Sequence, residues 1–167
     1  MKLHNKSKLL TDYKNFGLLT LEGVIQKSSN VGAAMIAKKT KKQKIYNTLT
    51  EFSIGSDLYV DFPSIQNGNI KDINNWDDAL HGTVGYGYGL STTLLHLANA
   101  YNIVANDGMR VQLSYRKTND IVLGEQVLQK ESSREILKMM RNAVDHGTGK
   151  NAKIQNYTVA GKTGTVR

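Results

Sequence analysis

Val159-Ala160-Gly161-Lys162-Thr163-Gly164-Thr165 is the stretch on which the reading of this chain turns. Tyr157–Ala160 are β-formers, so they predict a short strand that runs into Lys162. Gly161-Lys162-Thr163 also matches the tail of a phosphate-binding loop, G-x-x-x-x-G-K-[ST]. That loop needs glycine at position 156, where Asn156 stands, and a helix after Thr163 to aim its N–H groups at phosphate. Taken alone, Lys162-Thr163-Gly164 is the polar end of a strand. A strand needs neighbours, and one at the very end of the chain gives a first hint, and with it the expectation, that the chain is incomplete.

Working back from this stretch, Ser132-Ser133-Arg134-Glu135 has the S-x-x-E form of a capping box and predicts a helix opening there. Ile136, Leu137, Met140 and Val144 form its buried side, and Gly147 ends it. Val111–Lys117 and Ile121–Leu123 read as strands around a Thr118-Asn119-Asp120 turn. Leu94, Leu95, Leu97, Ala98, Tyr101 and Val104 make the broad apolar face of a helix. Ser91 or Thr92 caps that helix and Asn106-Asp107-Gly108 stops it. Residues 54–90 hold few regular patterns and close on Gly85-Tyr86-Gly87-Tyr88-Gly89. By itself this is a flexible loop. It is not a dinucleotide fingerprint, because the third glycine of G-x-G-x-x-G falls on Thr92.

Nearer the start, apolar spacing predicts helices over about 20–28, 31–39 and 41–53, the second capped by Asn30. Ser28-Ser29-Asn30 alone is a helix junction rich in capping residues. Residues 1–17 are polar and read as a loose segment.

Composition removes several function classes. Cysteine is absent, which excludes disulfides, thiolate metal sites and thiol catalysis. His4, His81, His96 and His146 have no helical i, i+3 or i, i+4 partner among themselves, so no metal is expected. No apolar run approaches the ~20 residues of a membrane helix, and the start lacks the apolar core of a signal peptide. Lys and Arg exceed Asp and Glu by 22 to 14, a net charge of +8 that favours anionic partners. Part of it is the run Lys38, Lys39, Lys41, Lys42 and Lys44, read as a solvated helix face over a binding patch. A specific nucleic-acid partner is not expected, since no binding motif is present and the aromatics are not interleaved with the basic run.

Together the segments resemble the class B penicillin-binding proteins, the cell-division and elongation peptidoglycan D,D-transpeptidases, over about residues 18–166. Leu19-Thr20-Leu21 through Ser28-Ser29-Asn30-Val31-Gly32 resembles the surroundings of that family's S-x-N motif. Val84–Gly89, with Thr92, Leu95, Leu97–Tyr101 and Ala105–Gly108, resembles its glycine loop and the helix that follows. Gly147-Thr148-Gly149, Ala152 and Val159–Thr165 resemble the approach to its K-T-G motif.

The resemblance implies an α+β fold of the serine transpeptidase and β-lactamase kind, an antiparallel sheet packed with helices plus an all-helical side. It implies acyl transfer by an active-site serine, with peptidoglycan stem peptides and β-lactams as ligands and no cofactor. Ser28 relays a proton near the leaving group, Asn30 hydrogen-bonds the substrate's peptide carbonyl, and Lys162 supplies positive charge near Ser28. Thr163, Gly164 and Thr165 belong to the carboxylate-binding strand, and the Thr165 N–H is half of the oxyanion hole. The parent family is anchored in the cytoplasmic membrane with this domain on the outer side, among division or elongation machinery.

Departures from the family pattern bear on activity. The nucleophile's S-x-x-K should precede S-x-N, and residues 1–27 contain none. The string Ser114-Tyr115-Arg116-Lys117 lies in the wrong order and in a strand pattern, where residues three apart face opposite ways. Thr93 stands where the family usually has Pro, and Phe62-Pro63 continues as Ser64-Ile65 where the family has Gly-Glu. Residues 18–167 are therefore expected to be a partial domain, inactive alone, without S-x-x-K and the C-terminal strands. A stem-peptide or polymer-binding module that does no chemistry is the alternative. Losing a few hundred Å² of burial costs on the order of 10 kcal/mol at ~25 cal/mol per Å². Natural domains hold ~5–15 kcal/mol, so the polypeptide alone is expected to be unstable or aggregation-prone.

Overall fold

The computed structural model describes residues 3–5, 8–58, 60 and 65–164. Its elements are β1 (Leu3–Asn5), β2 (Lys8–Leu10), α1 (Leu21–Lys27), α2 (Asn30–Lys39), α3 (Lys42–Glu51), β3 (Asn69–Ile70), α4 (Asp78–Val84), β4 (Leu90–Ser91), α5 (Leu94–Ala105), β5 (Met109–Val111), β6 (Leu123–Gln126) and α6 (Lys130–His146). The strands form antiparallel pairs, β1 with β2, β3 with β4 and β5 with β6. Leu3 faces Leu10, Asn69 faces Ser91, and Met109 faces Gln126.

The helices carry the core. α1 and α5 both pack on α6, while α2 joins α1 to α3 and α4. Val24, Val31, Ala34, Ala37, Val84, Ile103, Met140, Ala143 and Val144 are buried where these helices meet. α4 ends tightly on α2, for a Cβ at Gly85 would lie 2.6 Å from the Ala37 Cβ and 2.8 Å from the Ala33 carbonyl. Two histidines are held by backbone carbonyls. His81 Nε2 donates to Thr40 O at 2.9 Å, and His96 Nε2 donates to Ser56 O at 2.8 Å. Within the lysine run, Lys38 pairs with Asp78 at 2.6 Å and Lys42 donates to the Trp76 carbonyl. These two side chains tie α2 and α3 to the start of α4 and are not a freely solvated face.

Several local expectations are corrected. α6 opens at Lys130, so Ser132, the cap of the expected box, lies inside the helix together with Ser133. Ser133 is fully buried and its hydroxyl donates to Val104 O at 2.5 Å. It thereby satisfies one of the orphan carbonyls in the last turn of α5. Thr93 caps α5, its Oγ1 accepting from His96 N, where Ser91 or Thr92 was expected. Ser29, not Asn30, caps α2. The hairpin after α5 is β5 with β6, so most of Val111–Lys117 is loop. The stretch 54–90 contains α4, whose N-cap is Asp77 accepting from Leu80 N at 2.8 Å. Tyr157–Ala160 carries no strand pairing among the described residues. A β-prone sequence becomes a strand only when a ladder partner lies beside it, and here the segment runs along α6, with Gly161 N donating to Met140 O at 3.2 Å.

Candidate active site at the meeting of α1, α6 and the Lys162 segment

Thr20 starts α1, its Oγ1 accepting from Gly23 N at 3.1 Å, with Glu22 in the first turn and Lys27 in the last. Those charges suit the two ends of the helix dipole. The helix ends when Ser28 takes a left-handed conformation, φ 55° and ψ 44°. Ser29 then caps α2 at once, accepting from Gly32 N at 2.9 Å. Ser28 and Asn30 therefore flank a chain reversal of one residue, with Ser29 buried and Asn30 exposed.

α6 brings the other half. Gly147 caps its C-terminus, and Thr148 N donates to Gln26 O in the last turn of α1 at 3.2 Å. Thr148 Oγ1 and Thr163 Oγ1 share a hydrogen bond of 3.0 Å. With Gly161 fixed to Met140 O, the chain delivers Lys162 to Ser28. Lys162 Nζ donates to Ser28 Oγ at 2.6 Å and to Thr163 O at 2.9 Å. The residue is exposed as a whole, yet its ammonium end is partly desolvated, which holds its pKa below the ordinary lysine range. An ammonium that gives up its proton more readily, bonded to a hydroxyl, can pass a proton through that hydroxyl.

Ser28, Lys162 and Thr163 thus converge, and Asn30 lies two residues from Ser28 at the start of α2. Gly164 is exposed with open space where a Cβ would stand. Thr165 and Phe62-Pro63 lie outside the described residues. Ser114 is exposed just before a bend at Tyr115–Arg116, its Oγ donating to Arg116 O at 2.9 Å and accepting from Arg116 N at 3.1 Å. It opens no helix with Lys117. Thr148 and the Gln26 carbonyl are the positioning groups that motif reading left without a role. A glycine-threonine pair just past a helix is the available sequence signal for the first, and nothing in sequence marks a carbonyl. A cavity of about 600 Å³ borders Ser29. Asp12, Phe16, Leu19, Val24, Val31 and Met35 line it, and Ser28 and Lys162 do not. The exposed Lys162 segment, where the hydrogen bonds to Ser28 and Thr163 converge, is the better candidate for chemistry.

The family described as "Penicillin binding protein transpeptidase domain" matches residues 2–167. The chain is 32% identical over 184 residues to penicillin-binding protein PbpB of Mycolicibacterium smegmatis, covering 99% of this chain and 28% of that protein. It is 33% identical over 159 residues to peptidoglycan D,D-transpeptidase FtsI of Escherichia coli, covering 95% of this chain and 27% of that protein. The apo structure of the TP domain from Burkholderia pseudomallei penicillin-binding protein 3 superposes with a TM-score of 0.90 at 37% identity, over 96% of this chain and 50% of that one. The chain therefore spans about a quarter of the length of the curated relatives it matches. With the match running along the chain and the serine and lysine of its two motifs in contact, this polypeptide belongs to the penicillin-binding protein transpeptidase domain family, in its class B form.

Proposed function

We propose that residues 18–167 supply the S-x-N and K-T-G parts of a serine D,D-transpeptidase site that cross-links peptidoglycan stem peptides. The observation that carries this reading is the 2.6 Å bond between Lys162 Nζ and Ser28 Oγ, two groups 134 positions apart in sequence. In the reaction a serine Oγ attacks the carbonyl of the D-Ala-D-Ala bond, the C–N bond breaks, and the departing amine takes up a proton. The amine of a second stem peptide then displaces the serine. Ser28 delivers the proton to the first leaving amine, and Lys162 both supplies and recovers it. Asn30 hydrogen-bonds the peptide carbonyl of the substrate. Thr163 and Thr165, on either side of Gly164, hold its terminal carboxylate, and the Thr165 N–H contributes to the oxyanion hole. The nucleophile comes from an S-x-x-K segment outside this chain. β-Lactams enter as substrate mimics. The working protein is anchored in the cytoplasmic membrane, with this domain on its outer side and division or elongation machinery as partners. No described helix is long and apolar enough to cross a membrane.

Intact-mass measurement after incubation with benzylpenicillin tests the assignment. The 167-residue chain takes up no acyl adduct. Joined to an S-x-x-K segment it does, and Ser28→Ala and Lys162→Ala each slow the reaction by about 100-fold or more. Acylation indifferent to both substitutions refutes the roles given to them.

A second reading, a stem-peptide-binding module without chemistry, is favoured by Ser114, the serine of the chain's S-x-x-K string, which is exposed and opens no helix with Lys117. Reversible binding of an N-acyl-D-Ala-D-Ala peptide, with no adduct even in the longest product of the gene, distinguishes it.

A further inference from the structure

We infer that Asp12 is a positioning residue for the Ser28–Asn30 turn. The inference rests on the roles proposed above for those two residues. Asp12 lies outside every motif, 17 positions before Ser29. Its carboxylate nonetheless makes both of its bonds to this turn. Ser29 Oγ donates to Asp12 Oδ2 at 2.5 Å, and Val31 N donates to Asp12 Oδ1 at 3.2 Å.

The arrangement completes a helix cap that Ser29 only half supplies. The first N–H groups of a helix have no intrahelical acceptor. In α2 the Gly32 N–H goes to Ser29 Oγ and the Val31 N–H goes to Asp12. Ser29 Oγ accepts from Gly32 and spends its own proton on Asp12, so its rotamer is fixed from both sides. Ser29 is 3% exposed and cannot exchange these partners for water freely. Its neighbours on either side are Ser28, bonded to Lys162, and Asn30. A negative charge at the start of α2 also suits the helix dipole. α2 has no acidic residue of its own in its first turn, so Asp12 provides that charge from outside the helix.

The effect on chemistry runs through geometry. If the carboxylate is removed, Ser29 Oγ is free to rotate, the Val31 N–H is left unpaired, and the turn that aims Ser28 at Lys162 loosens. Lys162 then loses its fixed hydroxyl partner and becomes better solvated.

Asp12→Ala and Asp12→Asn, in the protein at its natural length, test this by hydrogen exchange at micromolar concentration. In Asp12→Ala, peptides covering 29–36 exchange about fivefold faster or more, the usual scale for a lost cap, while peptides within 134–146 keep their rates. Asp12→Asn, which keeps one carbonyl acceptor, recovers part of the protection. A pulse of acetic anhydride reads the site directly, since amine reactivity follows the neutral fraction. Labelling of Lys162 relative to Lys153 falls in Asp12→Ala and returns in part in Asp12→Asn. Unchanged exchange at 29–36 overturns the inference. So does equal acceleration throughout the chain in both variants, which makes Asp12 a general support of the fold. Neither readout needs substrate. If the wild-type protein fails to bind N-acyl-D-Ala-D-Ala while these shifts occur, the functional reading falls and the positioning stands.

Discussion

The Thr148 amide, two residues past the end of α6, donates to the Gln26 carbonyl in the last turn of α1 at 3.2 Å. That bond brings two helix C-termini together and leaves no room for a side chain at the residue between. A Cβ at Gly147 would stand 2.3 Å from Gln26 O and 2.8 Å from Ala143 O. Both obstacles are backbone, so Gly147→Ala must push α1 off α6. A loss of ~1–3 kcal/mol of stability is expected, read by denaturant unfolding, with the Ser28–Lys162 bond weakened in step.

Lys162 leads to a prediction at alkaline pH. Partial desolvation lowers its pKa from 10.5 in the folded state. As pH rises past the lowered value, the folded state releases its proton first and the unfolded state holds more protons. Stability therefore climbs with pH through that interval and levels off near the unfolded value. Lys162→Met is expected to abolish the climb, measured as melting temperature across the alkaline range.

Asp107 governs the acid side. Arg134 and Lys130 hydrogen-bond its carboxylate and hold its pKa below 3.8. Its contribution is present above the unfolded value and is lost as pH falls through the lowered folded value. Asp107 has φ 51°, a conformation asparagine also tolerates. Asp107→Asn thus removes the charge with little backbone strain and is expected to flatten the acid limb of the stability curve. Chemical denaturation from pH 2 to pH 6 provides the comparison.

α5 presents Leu94, Leu97 and Tyr101 to solvent at 87, 43 and 40% exposure, three large side chains at helical spacing. Such a stripe favours association. The 167-residue chain by itself is expected to self-associate at micromolar concentration. The double substitution Leu94→Gln and Leu97→Gln is expected to shift it toward monomer. Sedimentation velocity at several loadings decides, and a wild-type chain that stays monomeric with a sharp thermal transition refutes the expectation.

His96 is fully buried and bridges Ser56 O and Thr93 Oγ1 at 2.8 and 2.7 Å. The carbonyl can only accept, so Nε2 carries the proton and Nδ1 accepts from the threonine hydroxyl. His96→Leu leaves a carbonyl unpaired in the core. A cost of ~1–3 kcal/mol is expected, measured by urea unfolding, and Thr93→Ala, which removes the α5 cap and the Nδ1 partner together, is expected to cost ~0.5–2 kcal/mol.

The parts legible in sequence were those with a local signature. Ser28-Ser29-Asn30 sits between two apolar periodicities, and the reversal between α1 and α2 falls there. Gly147 marks the end of α6 as its chemistry requires. What sequence misjudged depended on partners elsewhere. Ser132 has the pattern of a cap, yet α6 already runs from Lys130, and its neighbour Ser133 turns inward to the orphan carbonyl of Val104. Tyr157–Ala160 has strand propensity without a ladder to join. α4 was hidden because it is only seven residues long with Gly82, a poor helix former, inside it, and its main signal is Asp77 before it. Asp12 could not be found at all, because a contact between residues 12 and 29 leaves no periodic trace.

Ser28 carries its hydroxyl at φ 55°. Serine adopts that backbone at modest cost, but a branched Cβ collides there with its own peptide. The natural alphabet offers two aliphatic alcohols, and this turn accepts one of them. Threonine retains the hydroxyl and loses the place to put it. The handedness of a single backbone step thus filters which oxygen can stand beside Lys162, before any substrate arrives.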